Sequence, residues 1–277
     1  MSQLKRFFQS SKPIIIGMIH VKALPGTPRF NSSVNSIVVQ ACKEAEIYAE
    51  CKIDSILIEN MHDVPYVQSN LMGPEIVSSM TRICTEVRKI LPSHIKCGIQ
   101  ILAGANKEAL AVAQAAGLQF IRAEGYVYSH VADEGLMNSC AGELLRYRRN
   151  IGADDIYIFT DIKKKHCSHS ITDDVSIEEM SKAAEFFLSD GVIVTGGATG
   201  YAADIEEFQK VKQSCKIPVL IGSGVTADNV GQYLTADGLI VGSHFKKGGI
   251  WSNEIDANCV KKFVQVLEEK YNQQLKS

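Results

Sequence analysis

The fold is decided by the stretch at residues 219–243, which reads VLIGSGVTADNVGQYLTADGLIVGS. It contains two short apolar runs, VLI and LIV, and each run is followed at once by a Gly-Ser pair. Short β-branched runs of this kind indicate buried strands, and glycine lets the backbone turn tightly after them. Because the N–H groups exposed in such turns attract anions, the stretch predicts two strand-to-helix units that hold an anion between them.

The same alternation of a short apolar run with a longer amphipathic segment extends along the chain and occurs eight times. The predicted strands are residues 14–19, 55–58, 96–101, 120–123, 156–161, 192–195, 219–221 and 239–241. The predicted helices are residues 34–50, 75–90, 107–116, 140–149, 177–188, 205–214, 229–234 and 257–271. Eight even units without an interrupting linker predict one α/β domain over residues 1–277, a (β/α)8 or TIM barrel. An open, doubly wound parallel sheet is the competing fold.

Backbone groups of the last two turns are the candidate phosphate-binding elements, because barrels of this kind often bind phosphate after strands 7 and 8. These groups belong to Gly222, Ser223, Gly224, Gly242 and Ser243. The sixth turn adds Gly196 and Gly197, either as part of the anion site or as a flexible loop. The competing interpretation is that the glycines serve only the tight turns.

Charged side chains at the ends of predicted strands are the candidate catalytic groups, since an unpaired buried charge is costly and the barrel mouth is open. They are His20, Glu59, Arg122, Asp161 and Lys163. Side chains alternate along a strand, so Asp161 and Lys163 are expected on one side, as are Arg122 and Glu124. His20, Glu59 or Asp161 is expected to move protons, and Lys163 to polarise a carbonyl or form a Schiff base. Structural ion pairs are the alternative.

Charge and cysteine content exclude several classes of function. The 29 Lys and Arg nearly balance the 31 Asp and Glu, so no broad basic surface for nucleic acid is expected. The eight cysteines contain no CxxC pair, which favours reduced thiols in a cytoplasmic protein over a zinc site. Three lysines between Asp161 and His169 oppose a metal ion there, so neither a metal nor a cofactor is expected. No apolar run has the length of a membrane span.

A short extension at residues 1–12 precedes the first predicted strand. Its charged residues are all basic, and Leu4, Lys5, Arg6, Phe7 and Phe8 are compatible with a short amphipathic segment. A mitochondrial address is therefore the alternative to a cytoplasmic location. Against it, the first strand begins too early for an ordinary removable presequence.

Several strings of this sequence resemble the BtpA family of predicted barrel proteins. They are GMIH at 17–20, LPGTPR at 24–29, IENMHDVPY at 58–66, ELLRYR at 143–148, VTGGATG at 194–200, GSGVT at 222–226 and ADGLIVGSHFK at 236–246. The resemblance extends from about residue 20 to residue 263. The last two turns separately resemble those of the tryptophan synthase α subunit and other ribulose-phosphate-binding barrels.

The resemblance implies a barrel and leaves two functions open. One cyanobacterial member is associated with photosystem I accumulation, and some bacterial relatives occur among sugar-metabolism functions. With the Gly-Ser turns, this favours a lyase or isomerase acting on a phosphorylated, sugar-like small molecule at the carboxyl ends of the strands. The alternative is a non-catalytic assembly or stability factor that binds protein partners. Because barrels often associate, a homo-oligomer is a further expectation.

Overall fold

The computed structural model describes residues 11–198 and 200–276, in which eight parallel strands close a barrel. The barrel strands are β1 (Ile14–His20), β2 (Ser55–Glu59), β3 (Lys96–Gln100), β4 (Phe120–Ala123), β5 (Tyr157–Ile162), β6 (Gly191–Val194), β7 (Val219–Ile221) and β8 (Gly238–Val241). Neighbours in the chain are neighbours in the barrel, and β8 pairs with β1. The predicted barrel is therefore confirmed, with strand ends that differ from the prediction by no more than one residue.

Seven α-helices cover the outside of the barrel in the part of the chain that the structure describes. They are α1 (Val34–Glu50), α2 (Pro74–Ile90), α3 (Asn106–Ala116), α4 (Ala141–Asn150), α5 (Ile177–Phe186), α6 (Ile205–Ser214) and α7 (Ala257–Gln274). Ser33 and Ser176 begin α1 and α5 as capping boxes, which satisfy N–H groups that the first turn leaves free. Left-handed Gly117 ends α3. None of the described helices is long and apolar enough to cross a membrane.

The seventh unit departs from the predicted pattern. Instead of a helix at residues 229–234, it contains a four-residue 3₁₀ helix, Val230–Tyr233. The Asn229 side chain accepts a hydrogen bond from the N–H of Thr226 and donates one to the carbonyl of Gly224. These bonds hold the chain in a turn up to Asn229, and the short connection to β8 leaves no room for a regular helix.

The inside of the barrel is filled by apolar side chains at the amino-terminal half of the strands. They are Ile14, Ile16, Met18, Leu57, Phe120, Phe159, Ile193, Leu220 and Ile240. The ring centroids of Phe120 and Phe159 are 5.5 Å apart, and a Cβ at Gly98 would lie 2.2 Å from the Phe120 ring. Because the interior is packed at this end, open space is expected only at the carboxyl ends of the strands.

A small three-stranded antiparallel sheet, which the sequence pattern does not predict, lies in the loops after β4 and β5. Its strands are His130–Ala132, Gly135–Met137 and Cys167–Ser168. Val131 pairs with Leu136 on one side and with Ser168 on the other. Strands of two or three residues are too short to show an alternating pattern in the sequence. The sheet fastens the two loops to each other.

Most of the predicted N-terminal extension lies outside the described residues, which begin at Ser11. The Lys12 ammonium lies 2.7 Å from a carboxylate oxygen of Glu268 on α7. The Tyr271 hydroxyl, on the same helix, donates a hydrogen bond to the Ser11 carbonyl. The chain therefore reaches β1 along the surface of α7.

Candidate functional site

A cavity of about 400 Å³ opens at the carboxyl ends of the barrel strands. Met18 and Ile240 form part of its apolar floor, and polar side chains line it above them. Four of the five predicted catalytic residues and five of the seven predicted phosphate-binding residues line it: His20, Glu59, Arg122, Asp161, Gly222, Ser223, Gly224, Gly242 and Ser243. The barrel therefore brings together strand ends that are far apart in the chain.

The central ion pair of the cavity joins β4 to β5. Arg122 Nε and Nη2 lie between 3.0 and 3.2 Å from the two carboxylate oxygens of Asp161, and both side chains are buried. Burial raises the pKa of Asp161 although Arg122 opposes the shift. Since both Asp161 oxygens are bound to Arg122, the carboxylate orients the guanidinium rather than being free to carry a proton.

Glu59 at the end of β2 is a carboxyl group whose ionisation is altered by its surroundings. It is 6 % exposed, and burial raises its pKa to about 7, against the opposing effect of Arg122 and Lys165. A carboxyl group with this pKa is present in both protonation states near neutral pH. It is suited both to donate and to accept a proton.

His20 at the end of β1 faces Glu59 as a neutral imidazole. Burial, assisted by Lys246, lowers its pKa to about 3. Its Nδ1 lies 2.8 Å from the Trp251 carbonyl oxygen, which only accepts, so Nδ1 carries the proton. Nε2 is then an acceptor and lies 3.9 Å from Glu59 Oε2. Burial beside a cation therefore disfavours the charged form of His20, and its expected role in moving protons stays a prediction.

Glu124, after β4, is held by three neighbours. Its Oε1 accepts from Gln100 Nε2 at 3.0 Å and lies 3.2 Å from Lys164 Nζ, and its Oε2 accepts from the Gly104 N–H at 3.1 Å. Gln100 Oε1 is buried and has no hydrogen-bond partner among the described residues, although Gln100 lines the cavity. Such an orphan acceptor is costly unless a ligand supplies a donor, for example a hydroxyl group.

Lys163 is not among the residues that line the cavity, which corrects the expectation that it faces the mouth beside Asp161. Its backbone has a left-handed φ of 43°, and its N–H lies 3.3 Å from Met180 Sδ. This conformation breaks the two-residue alternation of β5 just after the strand ends. The cavity is instead lined by Lys164 and Lys165, which belong to the same run of lysines but were not among the predicted site residues.

Two side chains of the polar run after Asp161 are bound within the protein. The Cys167 thiol donates to the Lys165 carbonyl, and His169 Nε2 lies 2.9 Å from the Lys164 carbonyl oxygen. In residues 11–198 and 200–276, no group of three or more His, Cys, Asp or Glu side chains is placed to hold a metal ion.

The turn after β7 packs closely under the turn after β6. The Ser223 hydroxyl accepts a hydrogen bond from the Gly196 N–H at 2.7 Å and donates one to the Tyr201 carbonyl at 3.0 Å. Gly224 has a φ of 66°, and a Cβ there would lie 2.2 Å from the Tyr201 carbonyl carbon. Gly196 and Gly197 do not line the cavity, and the Gly196 N–H is already bound. The structure therefore does not place these two glycines at the cavity, where their phosphate contact was expected.

Donors in the last two turns remain available to a ligand. The backbone N–H groups of Gly224 and Ser243 have no acceptor within the described part of the chain, and both residues line the cavity. His244 Nε2 accepts a hydrogen bond from the Ala227 N–H at 3.2 Å, which ties the turn after β8 to the turn after β7. The two turns thus present N–H donors from a braced backbone.

The sequence from residue 10 to residue 269 matches the BtpA family. The chain belongs to the BtpA family. An uncharacterized mitochondrial protein of Caenorhabditis elegans is 52% identical to it over 265 residues, which cover 95% of each chain. The photosystem I biogenesis protein BtpA of Synechocystis is 33% identical over 95% of this chain and 90% of its own. The resemblance inferred from the sequence strings is thereby confirmed.

Solved structures that resemble this BtpA-family chain share its fold at low sequence identity. KGPDC from Streptococcus mutans aligns with a TM-score of 0.59 and 9% identity, over 94% of this chain and 100% of its own. Phosphoribosyl anthranilate isomerase from Thermus thermophilus aligns with a TM-score of 0.57 and 10% identity, over 92% and 98%. At these identities the likeness establishes the barrel alone.

Proposed function

We propose that this BtpA-family protein is an enzyme, a lyase or isomerase that acts on a phosphorylated, sugar-like small molecule in the cavity. The observation that carries the proposal is the division of the cavity into two unlike ends. Backbone N–H groups with no acceptor among the described residues lie at the ends of β7 and β8, and a carboxyl group with a pKa of about 7 lies at the end of β2. One end suits an anion, and the other suits proton transfer.

The phosphate group is proposed to bind at the last two turns. N–H groups of Gly224 and Ser243 donate to its oxygens, as oriented backbone amides do in other anion sites. The position where a Cβ of Gly242 would stand is 3.4 Å from His20 Nε2, so the turn after β8 adjoins the reactive end. A ligand whose phosphate binds there is expected to place its carbon chain close to the ends of β1 and β2.

The reactive end is proposed to combine Glu59 with Arg122. Arg122 Nη1 has no acceptor among the described residues, and Asp161 holds the rest of the guanidinium in place. A fixed cation of this kind stabilises negative charge that develops on a substrate oxygen. Glu59 then moves the proton between neighbouring atoms of the substrate, and Gln100 Oε1 accepts a hydrogen bond from a substrate hydroxyl.

Names of structurally similar proteins support the substrate class. They include phosphoribosyl anthranilate isomerase and thiamine phosphate pyrophosphorylase, each named for a phosphorylated compound. Barrels often use the turns after strands 7 and 8 for such groups. The likeness of fold thus agrees with the anion site that we infer from the turns.

Ribose 5-phosphate, a simple phosphorylated sugar, is expected to raise the unfolding temperature of the protein, while ribose without phosphate leaves it unchanged. Ligand at a hundred times its Kd adds about 2.7 kcal/mol of stability, or roughly 5 °C for a chain of this size. Differential scanning fluorimetry measures the shift. Ser243→Asp puts a carboxylate into the proposed anion site and is expected to abolish the shift, whereas Ser243→Asn is the uncharged control of equal size and keeps it.

An assembly factor that binds protein partners is the competing function, and the name of the Synechocystis relative favours it. The two functions predict different results in the same experiment. If ribose 5-phosphate, inorganic phosphate and other phosphate esters at millimolar concentration all leave the unfolding temperature unchanged, the enzyme proposal is contradicted. A shift that Ser243→Asp and Ser243→Asn lose equally argues against an anion site at that turn.

We also propose that residues 1–12 direct the protein to mitochondria. The segment has basic but no acidic residues, and the nematode relative is named mitochondrial. The 277-residue chain fused to a fluorescent protein at its C-terminus is expected to colocalise with a mitochondrial marker, and Lys5→Glu/Arg6→Glu is expected to leave it in the cytoplasm. Cytoplasmic fluorescence of the unmodified fusion would refute the proposal.

A further inference from the structure

Lys165 is an amine in the cavity that the site described above leaves without a role. It follows β5 in the chain, is half-buried and lines the cavity together with Glu59 and Arg122. Its ammonium group forms no hydrogen bond or ion pair with another described residue. A partly desolvated amine without a protein partner in a ligand cavity is placed to react with the ligand.

The neighbouring cations differ from Lys165 in this respect. Arg122 is bound to Asp161, and Lys164 Nζ lies 3.2 Å from Glu124 Oε1. Lys246, whose charge helps to lower the pKa of His20, lies 2.8 Å from Glu44. Each of these cations has a carboxylate of its own, which opposes the loss of its proton. Of the lysines in the described lining of the cavity, Lys165 is the one whose amine has no carboxylate partner among the described residues.

The surroundings of Lys165 shift its pKa in opposite directions. Burial and the Arg122 guanidinium lower the pKa of Lys165, while Glu59, Asp161 and Glu124 oppose that shift. The net effect is downward, so a larger fraction of the amine is uncharged at neutral pH than for an exposed lysine. The uncharged amine is the nucleophile in reactions with carbonyl groups.

We propose that Lys165 forms a Schiff base with the carbonyl group of the phosphorylated ligand. The inference rests on the proposed function and assigns it a covalent step, with a phosphorylated aldose or ketose as the ligand class. It also replaces the expectation that Lys163 is the Schiff-base lysine, because Lys163 is outside the cavity lining.

The step balances with groups that are already in the cavity. The amine nitrogen of Lys165 bonds to the carbonyl carbon, and the carbonyl electron pair moves to oxygen, which takes a proton. A proton passes from nitrogen to oxygen and the carbon–oxygen bond breaks, releasing water. In sum, the amine, the carbonyl and one proton from Glu59 become a protonated iminium, one water and the Glu59 carboxylate.

The iminium accounts for both reaction classes that the proposed function leaves open. Its positive nitrogen accepts the electron pair of a neighbouring carbon–carbon or carbon–hydrogen bond and becomes an enamine. The Glu59 carboxylate takes the proton released from the adjacent hydroxyl group or carbon. Carbon–carbon cleavage makes the protein a lyase, and proton movement alone makes it an isomerase. Addition of water to the iminium re-formed after protonation then frees Lys165.

Pyridoxal 5′-phosphate, which carries an aldehyde and a phosphate, is the probe for this lysine. The whole protein is incubated with a low concentration of the probe, reduced with borohydride and mapped by peptide mass spectrometry. We expect Lys165 to be labelled at least about tenfold faster than Lys163, because phosphate binding raises the local aldehyde concentration. Inorganic phosphate is expected to slow the labelling. Pyridoxal without phosphate is expected to show no preference for Lys165.

Matched variants separate this inference from the proposed function. Lys165→Arg is expected to lose the fast label but to keep the temperature shift with ribose 5-phosphate, whereas Lys163→Arg keeps both. If wild type shows the shift but its lysines are labelled at equal rates, the Schiff base is refuted and the phosphate site stands. If neither shift nor selective label is seen, both proposals fail. Preferential labelling of Lys163 or Lys164 would also overturn the assignment.

Discussion

Replacement of Glu59 by glutamine is expected to stabilise the protein above neutral pH and to have little such effect in acid. The carboxyl group of Glu59 has a pKa of about 7 in the folded protein against 4.5 when exposed. The folded state therefore keeps its proton over a pH range in which the unfolded state loses it. The stability that this proton contributes is fully present below pH 4.5 and is lost as the pH rises through 7.

Glutamine cannot ionise, so Glu59→Gln escapes that loss. The free energy of unfolding of the variant relative to wild type is expected to rise by about 3 kcal/mol between pH 4.5 and pH 8, at about 1.4 kcal/mol per pH unit. Thermal unfolding across this range measures the rise as roughly 6 °C. The same change removes the proton carrier of the proposed reaction, so the variant is expected to be more stable but less active.

Glu46→Gln is the matched control, because Glu46 lies on the exposed surface of α1. Its unfolding curve is expected to follow wild type within about 0.5 kcal/mol at each pH. A difference between Glu59→Gln and wild type that stays constant from pH 4.5 to pH 8 would mean that the pKa of Glu59 is the same in the folded and the unfolded state. That result would remove Glu59 as a general acid.

Lys246→Met is expected to destabilise the protein by about 3–5 kcal/mol, because it leaves the Glu44 carboxylate buried without its cation. The two charged groups lie 2.8 Å apart, with side chains 1% and 5% exposed, and join the turn after β8 to α1. Burial lowers the pKa of Lys246, although Glu44 opposes the shift. Urea denaturation at neutral pH measures the loss.

The adjacent lysine supplies the control for this prediction. Lys247 is also paired at 2.8 Å, with Glu254, but these side chains are 60% and 57% exposed. Lys247→Met is therefore expected to cost about 0–1 kcal/mol. In the double variant Lys246→Met/Glu44→Met, most of the stability is expected to return, since neither charge is left unpaired. Equal losses for the two lysines would contradict the burial argument.

The barrel and the position of the cavity could be predicted from the sequence because they depend on local patterns. Short β-branched runs mark the strands, and their ends meet at one face of a parallel barrel wherever the intervening helices lie. This is why the pattern along the chain is enough to group His20, Glu59 and Arg122. The Gly-Ser pairs after β7 and β8 are found in the same way.

Which side chains reach the cavity at that face, and how the loops there pair, could not be predicted from local pattern. Alternation places Lys163 beside Asp161, but the left-handed backbone at Lys163 ends the alternation and brings Lys164 and Lys165 to the cavity. The small sheet, with strands of two and three residues, arises only when the two loops meet. Both features depend on packing between segments, which a pattern along one segment does not contain.

The sequence by itself thus determined the barrel, the face that carries the cavity and most of the residue types found there. Tertiary structure alone decided their chemical states. The pKa of Glu59 is raised to about 7 and that of His20 is lowered to about 3, because several strands bury them together and set the charges around them. The Gly196 N–H is bound because Ser223 from the next turn reaches it. Burial and charge at a point are sums over all the segments that surround it, so they exist only once the chain has folded.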